Sequence, residues 1–305
     1  MDVGPIGAVE ASAAARRNRL VGLALMCGAV ICFAGLDTSA KWLSHSTDPL
    51  LGVWARYVSS VVLVSLVVNP WSVPGLARTR RPWMQAGRSV LLLLSTACNF
   101  FALQYLQVAQ TTSIMFAAPL LVALAAGPLL GEWIGPRRLA AIGVGFVGVL
   151  IITRPGFGGM HPAALLSVFG TACYALYAIS TRVLAASDSS ATTLFYSGLA
   201  GVVLVTPFVP FVWSTPSLLV ALMMAATGVF GAVGHWLLIL AHARAPAPVL
   251  APFLYTQLIW VVILGYLVFG DLPDYWTLIG ASVVIASGMY LLYRERERSL
   301  PTRLA

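Results

Sequence analysis

Ten apolar segments follow one another along this 305-residue chain, and all but the short fifth are long enough to cross a lipid bilayer as an α-helix. A transmembrane helix needs about 20 mainly apolar residues. Only 9% of the residues are charged, against about 25% in a soluble domain. The pattern therefore predicts an all-α integral membrane protein with ten transmembrane helices. Breaks at proline, glycine and charged clusters set the predicted spans at residues 20–43, 49–70, 85–106, 109–130, 138–153, 162–184, 192–213, 217–240, 247–270 and 275–293.

The basic residues predict the direction in which the chain crosses the membrane. Lysine and arginine accumulate on the cytoplasmic side of membrane proteins. With the N-terminus inside, fifteen of the eighteen fall in cytoplasmic segments or at their membrane edge, and only Lys41, Arg56 and Arg154 lie elsewhere. We therefore expect cytoplasmic tails at residues 1–19 and 294–305. The net charge of +8 is spread over short connections, which argues against a nucleic-acid partner and for the lipid bilayer.

Two stretches of the chain are similar to each other. Residues 101–133 and 240–272 align without gaps at an offset of 139, which places Phe116 on Tyr255 and Glu132 on Asp271. Because five spans form each half, the second half starts on the opposite side of the membrane. The sequence thus predicts two inverted five-helix repeats, residues 20–153 and 162–293. Such repeats are typical of secondary transporters, whose substrate site lies near the membrane midplane between the repeats.

The chain resembles the drug/metabolite transporter superfamily, specifically the bacterial EamA-type carriers with ten helices. The resemblance covers residues 20–293. It rests on the two-fold repeat and on four segments, which are LLGE (129–132), VFGD (268–271), FAGLDTSAKWL (33–43) and VWARY (53–57). It implies a multi-pass protein of the bacterial inner membrane that carries a small metabolite without a cofactor.

Three charged residues lie within the first two spans. An ionisable side chain at membrane depth costs roughly 2.5–3.5 kcal/mol on insertion scales and usually has a partner. Asp37 and Arg56 lie at matching depth on neighbouring antiparallel spans, and Lys41 is one helical turn further out than Asp37. We expect a cluster centred on Asp37. It either fastens the first span to the second or lines the outward-facing path, where its excess cation would attract a carboxylate or phosphate.

Uncharged polar and aromatic residues supply the candidates for substrate binding. In the resembled family, the central cavity is lined mainly by the third, fourth, eighth and ninth spans, with parts of the first, second, sixth and seventh. Each candidate could instead form an interhelical hydrogen bond, worth about 0.6 kcal/mol on average. His235 could also titrate near neutral pH or serve in packing. The candidates are Asn99, Gln110, Trp236, Tyr255, Gln257 and His235, with Tyr174 and Tyr177 as second choices.

Three further features receive structural interpretations. Glu132 and Asp271 precede the fifth and tenth spans, where a carboxylate complements the helix dipole; substrate binding is the alternative. Residues 143–148 (GVGFVG) fit a dinucleotide-binding pattern, but that pattern requires a soluble βαβ unit, so close helix packing is expected. The four cysteines form no CxxC pair, so no metal site is expected.

These features favour a secondary transporter of a small polar metabolite, an amino acid or related compound, that works by alternating access through a central cavity. Uptake of riboflavin or another ring-bearing metabolite is the alternative, because aromatic residues could stack on a ring. A membrane receptor or scaffold without transport is a remote third possibility. The chain contains no HExxH, no GxSxG and no paired acids within a span, so we do not expect an enzyme.

Overall fold

The structure is a computed structural model that describes residues 5–67, 78–133, 135–155, 161–245 and 247–299. Within these ranges the chain forms thirteen α-helices and one short 3₁₀ helix, Thr206–Phe208, with no strand. The α-helices are α1 Pro5–Ser44, α2 Pro49–Val67, α3 Pro82–Leu103, α4 Val108–Met115, α5 Ala118–Leu130, α6 Pro136–Thr153, α7 Ala163–Leu184, α8 Ser190–Val205, α9 Val209–Val212, α10 Leu218–His242, α11 Ala247–Leu254, α12 Gln257–Phe269 and α13 Tyr275–Ser299.

These helices confirm the predicted ten spans. Seven spans are single helices, and three are interrupted: α4 with α5, α8 with α9, and α11 with α12. The first helix differs from the prediction because it continues from Pro5 through three arginines before it enters the apolar run. Charged residues are compatible with a helix outside the hydrocarbon layer, so the end of an apolar run does not mark the end of a helix.

Two helix breaks occupy equivalent places in the two repeats. Residues 116–117 separate α4 from α5, and residues 255–256 separate α11 from α12. The offset of 139 maps one break onto the other. The rings of Phe116 and Tyr255, one from each break, meet edge to face with centroids 5.0 Å apart. The pseudo-two-fold axis between the repeats therefore passes close to this aromatic pair.

Two glycines end equivalent helices in the same way. Gly131 closes α5 with φ of 73°, and Gly270 closes α12 with φ of 71°. The N–H of Gly131 donates to the carbonyl of Gly127 at 3.0 Å, and that of Gly270 donates to the carbonyl of Tyr266 at 2.9 Å. A left-handed residue at this position is a common helix terminator, and glycine adopts it without a steric penalty. The repeat is thus visible in backbone geometry as well as in sequence.

The main helix contacts also follow the two-fold relation. α1 packs along α10, and α3 packs along α7, which is the equivalent pair; α6 packs along α13. The α6–α13 contact uses the GVGFVG segment. A Cβ added to Gly148 would lie 2.9 Å from the carbonyl oxygen of Gly280. Only a residue without a side chain fits there, which confirms the packing interpretation of this segment.

Candidate functional site

A cavity of about 440 Å³ lies at the level of the two helix breaks. Its walls come from both repeats, with α1, α3, α4 and α5 on one side and α7 and α10 to α13 on the other. The polar and aromatic residues that line it are Phe33, Asp37, Asn99, Thr111, Thr112, Phe116, Tyr174, His242, Tyr255 and Gln257.

Asp37 is held in this cavity by two amide side chains. Asn99 donates from Nδ2 to Oδ1 of Asp37 at 3.1 Å, and Gln257 donates from Nε2 to Oδ2 at 3.3 Å. One amide belongs to the first repeat and the other to the second. In the part of the chain that the structure describes, no cationic group forms a salt bridge with Asp37. A half-buried carboxylate therefore faces the cavity with two neutral hydrogen-bond partners.

The expected cluster of Asp37, Lys41 and Arg56 was wrong with respect to Lys41. The ammonium of Lys41 forms a salt bridge with Asp271, at the end of α12 in the other repeat. Arg56 interacts electrostatically with Asp37 but donates its hydrogen bond to Thr96. One helical turn carries the long Lys41 side chain outward, beyond the level of Asp37. Its partner follows the α12 cap, and sequence spacing alone does not bring that position close.

Two hydroxyl groups in the same cavity lack partners. Among the described residues, the buried atoms Oη of Tyr255 and Oγ1 of Thr112 form no hydrogen bond. Leaving a buried polar atom without a partner costs about 1–3 kcal/mol. Both residues line the cavity, and the Tyr255 hydroxyl is directed at Gly288 of α13, where an added Cβ would lie 2.1 Å from it.

A second cavity, of about 460 Å³, adjoins the first. Tyr174, Leu238 and His242 line both. The other polar residues around the second cavity include a buried arginine and hydroxyl-bearing side chains from α7 and α8. These polar residues are Arg88, Tyr177, Thr181, Asp188, Thr193, Ser197 and His235.

Arg88 lies in this second cavity and is only 1% exposed. Its Nη1 donates to Oγ1 of Thr181 at 3.1 Å, and its Nη2 donates to the carbonyl of Thr193 and the hydroxyl of Ser197. The guanidinium carbon lies 4.9 Å from the ring centroid of Tyr177. All of these partners are neutral. Within the described ranges, no carboxylate forms a salt bridge with Arg88.

Sequence analysis missed Arg88 as a site residue. Its place near the start of the third span suggested a flanking charge at the cytoplasmic edge. α3 begins at Pro82, so Arg88 lies almost two helical turns inside the helix. The sequence feature that could have indicated a partner for Arg88 is the pair Tyr177 and Thr181, which share one face of the sixth span. Only the packing of α3 against α7 brings that face to Arg88.

The structure gathers six of the eight predicted binding residues around the cavities. Asn99, Tyr255 and Gln257 line the first, His235 and Tyr177 line the second, and Tyr174 lines both. The other two line neither cavity. Gln110 accepts the N–H of Gln107 through Oε1 at 3.1 Å and thereby caps α4. Trp236 is 51% exposed on the outside of the bundle, because consecutive helical residues differ by about 100° and His235 takes the inward direction.

Three salt bridges among the described residues connect the repeats, and two of them form an equivalent pair at opposite ends of the bundle, the third being Arg154 with Asp274. Lys41 of α1 pairs with Asp271, and Arg182 of α7 pairs with Glu132 at 2.7 Å. α1 and α7 are equivalent helices, and the two acids are the residues that the repeat aligns. The side chain of Lys41 is 9% exposed, whereas that of Arg182 is 61% exposed. The Lys41–Asp271 pair therefore works in a far drier environment, where ion pairs are screened less.

A further polar contact lies at the Arg182 end, outside the spans. Asp188 accepts hydrogen bonds from Oγ1 of Thr79 at 2.5 Å, Nε2 of Gln85 at 2.7 Å and the N–H of Arg80 at 3.4 Å. Partial burial acts to raise the pKa of Asp188, but these hydrogen bonds outweigh it and hold the pKa below its ordinary value. The contact ties the segment before α3 to the α7–α8 connection.

Fold and site together define a class of protein. Two inverted five-helix repeats enclose polar cavities at their interface, and broken helices line the cavity nearest the axis. This is the architecture of a secondary transporter. In the described part of the chain, no group of three or more His, Cys, Asp or Glu side chains could hold a metal ion.

Comparison with known proteins gives the family. The model of the EamA-like transporter family matches residues 20–154 and 161–294. The chain therefore belongs to this family of membrane transporters, whose role is not enzymatic.

Similar proteins of known name include carriers of two different solutes. The chain is 27% identical to an S-adenosylmethionine uptake transporter of Rickettsia bellii over 280 residues, which is 91% of this chain and 95% of the relative. It is 28% identical to a riboflavin transporter of Rhizobium johnstonii over 287 residues, 92% of this chain and 93% of the relative. A protein of known crystal structure shares the fold, with a TM-score of 0.61 at 16% identity, covering 93% of this chain and 99% of that one.

Proposed function

We propose that this protein carries a small polar metabolite, an amino acid or related compound, across the bacterial inner membrane by alternating access. The observation that supports this most is the carboxylate of Asp37. It lies in a cavity between the repeats and accepts hydrogen bonds from one amide of each repeat. A rocking motion of one repeat against the other would change this arrangement directly. The substrate-binding residues would be Asn99, Tyr174, Tyr177, His235, Tyr255 and Gln257.

The relatives suggest two substrates. S-adenosylmethionine is an amino acid derivative and fits the first choice, since the cavities contain both an acidic and a basic group. Riboflavin is the second candidate. The aromatic side chains of Phe33, Phe116 and Tyr174 around the first cavity favour a solute with a ring.

The two ends of the bundle would take different parts in the transport cycle. Both cavities reach His242, which is exposed at the Arg182 end of α10. At the other end, Lys41 pairs with Asp271 and lies over the ring of Phe269, 4.9 Å from its centroid. With the N-terminus in the cytoplasm, the Arg182 end is cytoplasmic. The conformation would then be inward-facing, with the Lys41–Asp271 pair closing the outer side.

Flux measurements test this proposal. The protein would be reconstituted into liposomes loaded with unlabelled solute, and the entry of labelled S-adenosylmethionine, amino acids or riboflavin would be followed. We expect counterflow of at least one of them, and loss of that flux in Tyr255→Ala. Tyr290→Ala is the matched control, because Tyr290 is 42% exposed on α13. Ligand-dependent stabilisation without any flux would instead favour a receptor.

A further inference from the structure

We propose that Asp37 binds and releases a proton in each transport cycle, so that the flux of solute is coupled to a flux of protons. This inference rests on the proposed function and specifies how that transport is driven. Asp37 is the only Asp or Glu within the ten predicted spans. Acidic residues at membrane depth are costly and commonly mark proton pathways in transporters. The proton would come from water on one side of the membrane and return to water on the other side.

Asp37 lies where water from one end of the bundle can reach it. It lines the cavity of about 440 Å³, and so does His242, which is exposed at the Arg182 end. At about 30 Å³ for each molecule, this cavity has room for roughly a dozen waters. At the other end, the Lys41–Asp271 pair lies one helical turn beyond Asp37. The carboxylate would therefore exchange protons with one side in this conformation, and with the other side once that pair has opened.

The hydrogen bonds of Asp37 would change when its carboxyl is protonated. Asn99 of the first repeat and Gln257 of the second each donate an N–H to one carboxylate oxygen, at 3.1 and 3.3 Å. A protonated carboxyl becomes a donor at one oxygen, so the amide at that oxygen has to turn and present its carbonyl. The bond from Gln257 joins the two repeats. Protonation there would thus alter a contact between the repeats, and a bound proton can shift their equilibrium only through such a difference.

No salt bridge fixes the charge of Asp37 within the described ranges. The charged or titratable groups around it are Lys41 on its own helix, Arg56 on α2, Tyr174 on α7, His242 on α10 and Tyr255 between α11 and α12. Lys41 is paired with Asp271, and Arg56 donates its hydrogen bond to Thr96. Arginine does not lose its proton in proteins, and tyrosine has an ordinary pKa of about 10. Asp37 is therefore the group at this depth whose charge can follow the transport cycle.

Transport driven by a pH difference tests this coupling. The protein would be reconstituted into liposomes with equal potassium on both sides and valinomycin, which holds the membrane potential at zero, and a pH difference of about one unit would be imposed. The probes are labelled S-adenosylmethionine, a set of amino acids, and riboflavin. The variants are Asp37→Asn and Asp37→Glu, with Asp48→Asn as the control. Asp48 is an exposed acid that caps α2, and asparagine caps a helix equally well.

The expected results separate coupling from transport itself. With one proton moved for each solute, the pH difference should produce about a tenfold difference in the concentration of the transported probe across the membrane. The sign of that difference tells whether the proton travels with the solute or against it. Asp37→Glu and Asp48→Asn should reach the same difference as the wild type. Asp37→Asn should bring the probe only to equal concentrations on the two sides, at whatever rate it retains.

A labelling measurement on the wild type covers the case in which Asp37→Asn does not fold or transport. Dicyclohexylcarbodiimide adds to a protonated carboxyl in an apolar environment and leaves a stable acylurea, which peptide mass spectrometry locates. Asp37 should be modified, faster at lower pH, and the accumulation driven by the pH difference should be lost in step with its modification. Full accumulation after modification of Asp37, or no modification of Asp37 at any pH, would overturn the assignment.

Three flux results would also overturn the proposal or its basis. Equal probe concentrations in the wild type, with counterflow present, would refute proton coupling while leaving the transporter assignment intact. A tenfold difference retained in Asp37→Asn would place the proton on another group. No flux of any probe by folded protein would refute the proposed function itself, and the coupling with it.

Discussion

The hydroxyl group of Tyr255 provides a test of the cavity at the scale of one atom. It is buried and without a partner among the described residues, although its ring packs against Phe116. Tyr255→Phe removes only this unsatisfied atom, so the thermal stability of the ligand-free protein should change by less than about 1 kcal/mol. If the hydroxyl binds substrate, affinity should fall by roughly 2- to 12-fold, the value of one neutral hydrogen bond. Melting curves with and without ligand measure both effects.

Tyr57 offers the matched control for this substitution. Its hydroxyl is buried but donates to Oγ1 of Thr96 at 3.0 Å, away from both cavities. Tyr57→Phe should therefore lower the free energy of unfolding by about 0.5–1.5 kcal/mol and leave affinity unchanged. Equal affinity losses in Tyr57→Phe and Tyr255→Phe would show that the Tyr255 hydroxyl does not act on substrate directly.

Protonation of Asp188, which lies at the Arg182 end of the bundle, should lower the free energy of unfolding of the protein. Its hydrogen bonds from Thr79, Gln85 and Arg80 lower the pKa of the carboxyl in the folded protein, so the folded state binds this proton less tightly than the unfolded state does. The stabilisation is complete above the ordinary pKa of about 3.9 and is lost as the pH falls through the folded-state pKa.

The melting temperature of wild type and Asp188→Asn between pH 3 and 7 measures this contribution. The wild type should be the more stable above about pH 5, and the difference should shrink toward pH 3. Other carboxylates titrate in the same range, so only the difference between the two proteins carries information. Parallel curves across the whole range would mean that the proton on Asp188 is not linked to folding.

Individual residues also show how far sequence reasoning reaches. The predicted span boundaries gave the depth of Asp37 in the membrane and placed the polar residues Asn99, Tyr255 and Gln257 within spans. All four residues line one cavity. The sequence did not predict the partner of Lys41, because Asp271 comes close to it only through the packing of α1 against α12. Arg88 was assigned to the membrane edge for the same reason, since its neutral partners lie on other helices.

At the scale of the helix, the glycines that end α5 and α12 provide a test of whether the two repeats are equivalent. Gly131 and Gly270 have φ of 73° and 71°, and an added Cβ would contact nothing within 4 Å at either position. Substitution by alanine should thus cost only the left-handed backbone conformation, about 1–2 kcal/mol. Because the two caps are equivalent, Gly131→Ala and Gly270→Ala should lower the melting temperature by similar amounts.

Gly143→Ala is the control for both substitutions. Gly143 lies inside α6 with open space around its Cα, and alanine is favoured there by about 0.5–1 kcal/mol. A stabilised Gly143→Ala beside two equally destabilised cap variants is the expected pattern. Unequal losses at Gly131 and Gly270 would mean that the repeats differ in how their fourth and ninth spans end.

The two equivalent salt bridges, Lys41–Asp271 and Arg182–Glu132, should differ in their effect on the transport cycle. The Lys41–Asp271 pair is largely buried, whereas the Arg182–Glu132 pair is mostly exposed. Exposed pairs contribute about 0–1 kcal/mol, but breaking a buried pair leaves a charge without its partner. Asp271→Asn should therefore open the Lys41 end, and Glu132→Gln should change little.

Thiol labelling can follow this opening. In a protein whose four native cysteines are replaced by serine, Thr112→Cys places a thiol in the first cavity. A membrane-impermeant maleimide added on the Lys41 side should label it faster when Asp271→Asn is present, and no faster with Glu132→Gln. Equal rates in all three proteins would mean that the Lys41–Asp271 pair does not hold that end closed.

Helices were predicted more completely than their interruptions. Apolar length found all ten spans, but it gives the fourth only as residues 109–130 and does not locate a break within it. The structure divides it at residues 116–117. Pro119 in the first turn of α5 has no N–H to donate, so it is compatible with the break, but proline alone does not fix where a helix stops. The meeting of Phe116 and Tyr255 across the axis is a tertiary event that sequence spacing does not encode.

At the scale of the whole molecule, the inverted repeat explains why one chain carries two similar ends. The glycine caps of α5 and α12 and the salt bridges Lys41–Asp271 and Arg182–Glu132 are equivalent features on opposite sides. The conformation is nevertheless asymmetric, since both cavities reach the Arg182 end. An inverted repeat can exchange the conformations of its two halves, which would move the opening to the Lys41 end.

The distribution of lysine and arginine predicts which end faces the cytoplasm, and this orientation decides the direction in which the conformation opens. Ser46 lies exposed in the turn after α1, at the Lys41 end, and Ala186 lies exposed in the turn after α7, at the Arg182 end. In a background without native cysteines, an impermeant maleimide added to intact cells should label Ser46→Cys and spare Ala186→Cys, because fifteen of the eighteen basic residues favour the Arg182 side as cytoplasmic. Both thiols should react once the cells are lysed. Labelling of Ala186→Cys alone in intact cells would reverse the predicted orientation, and the cavities that contain Asp37 and Arg88 would then open toward the outside in this conformation.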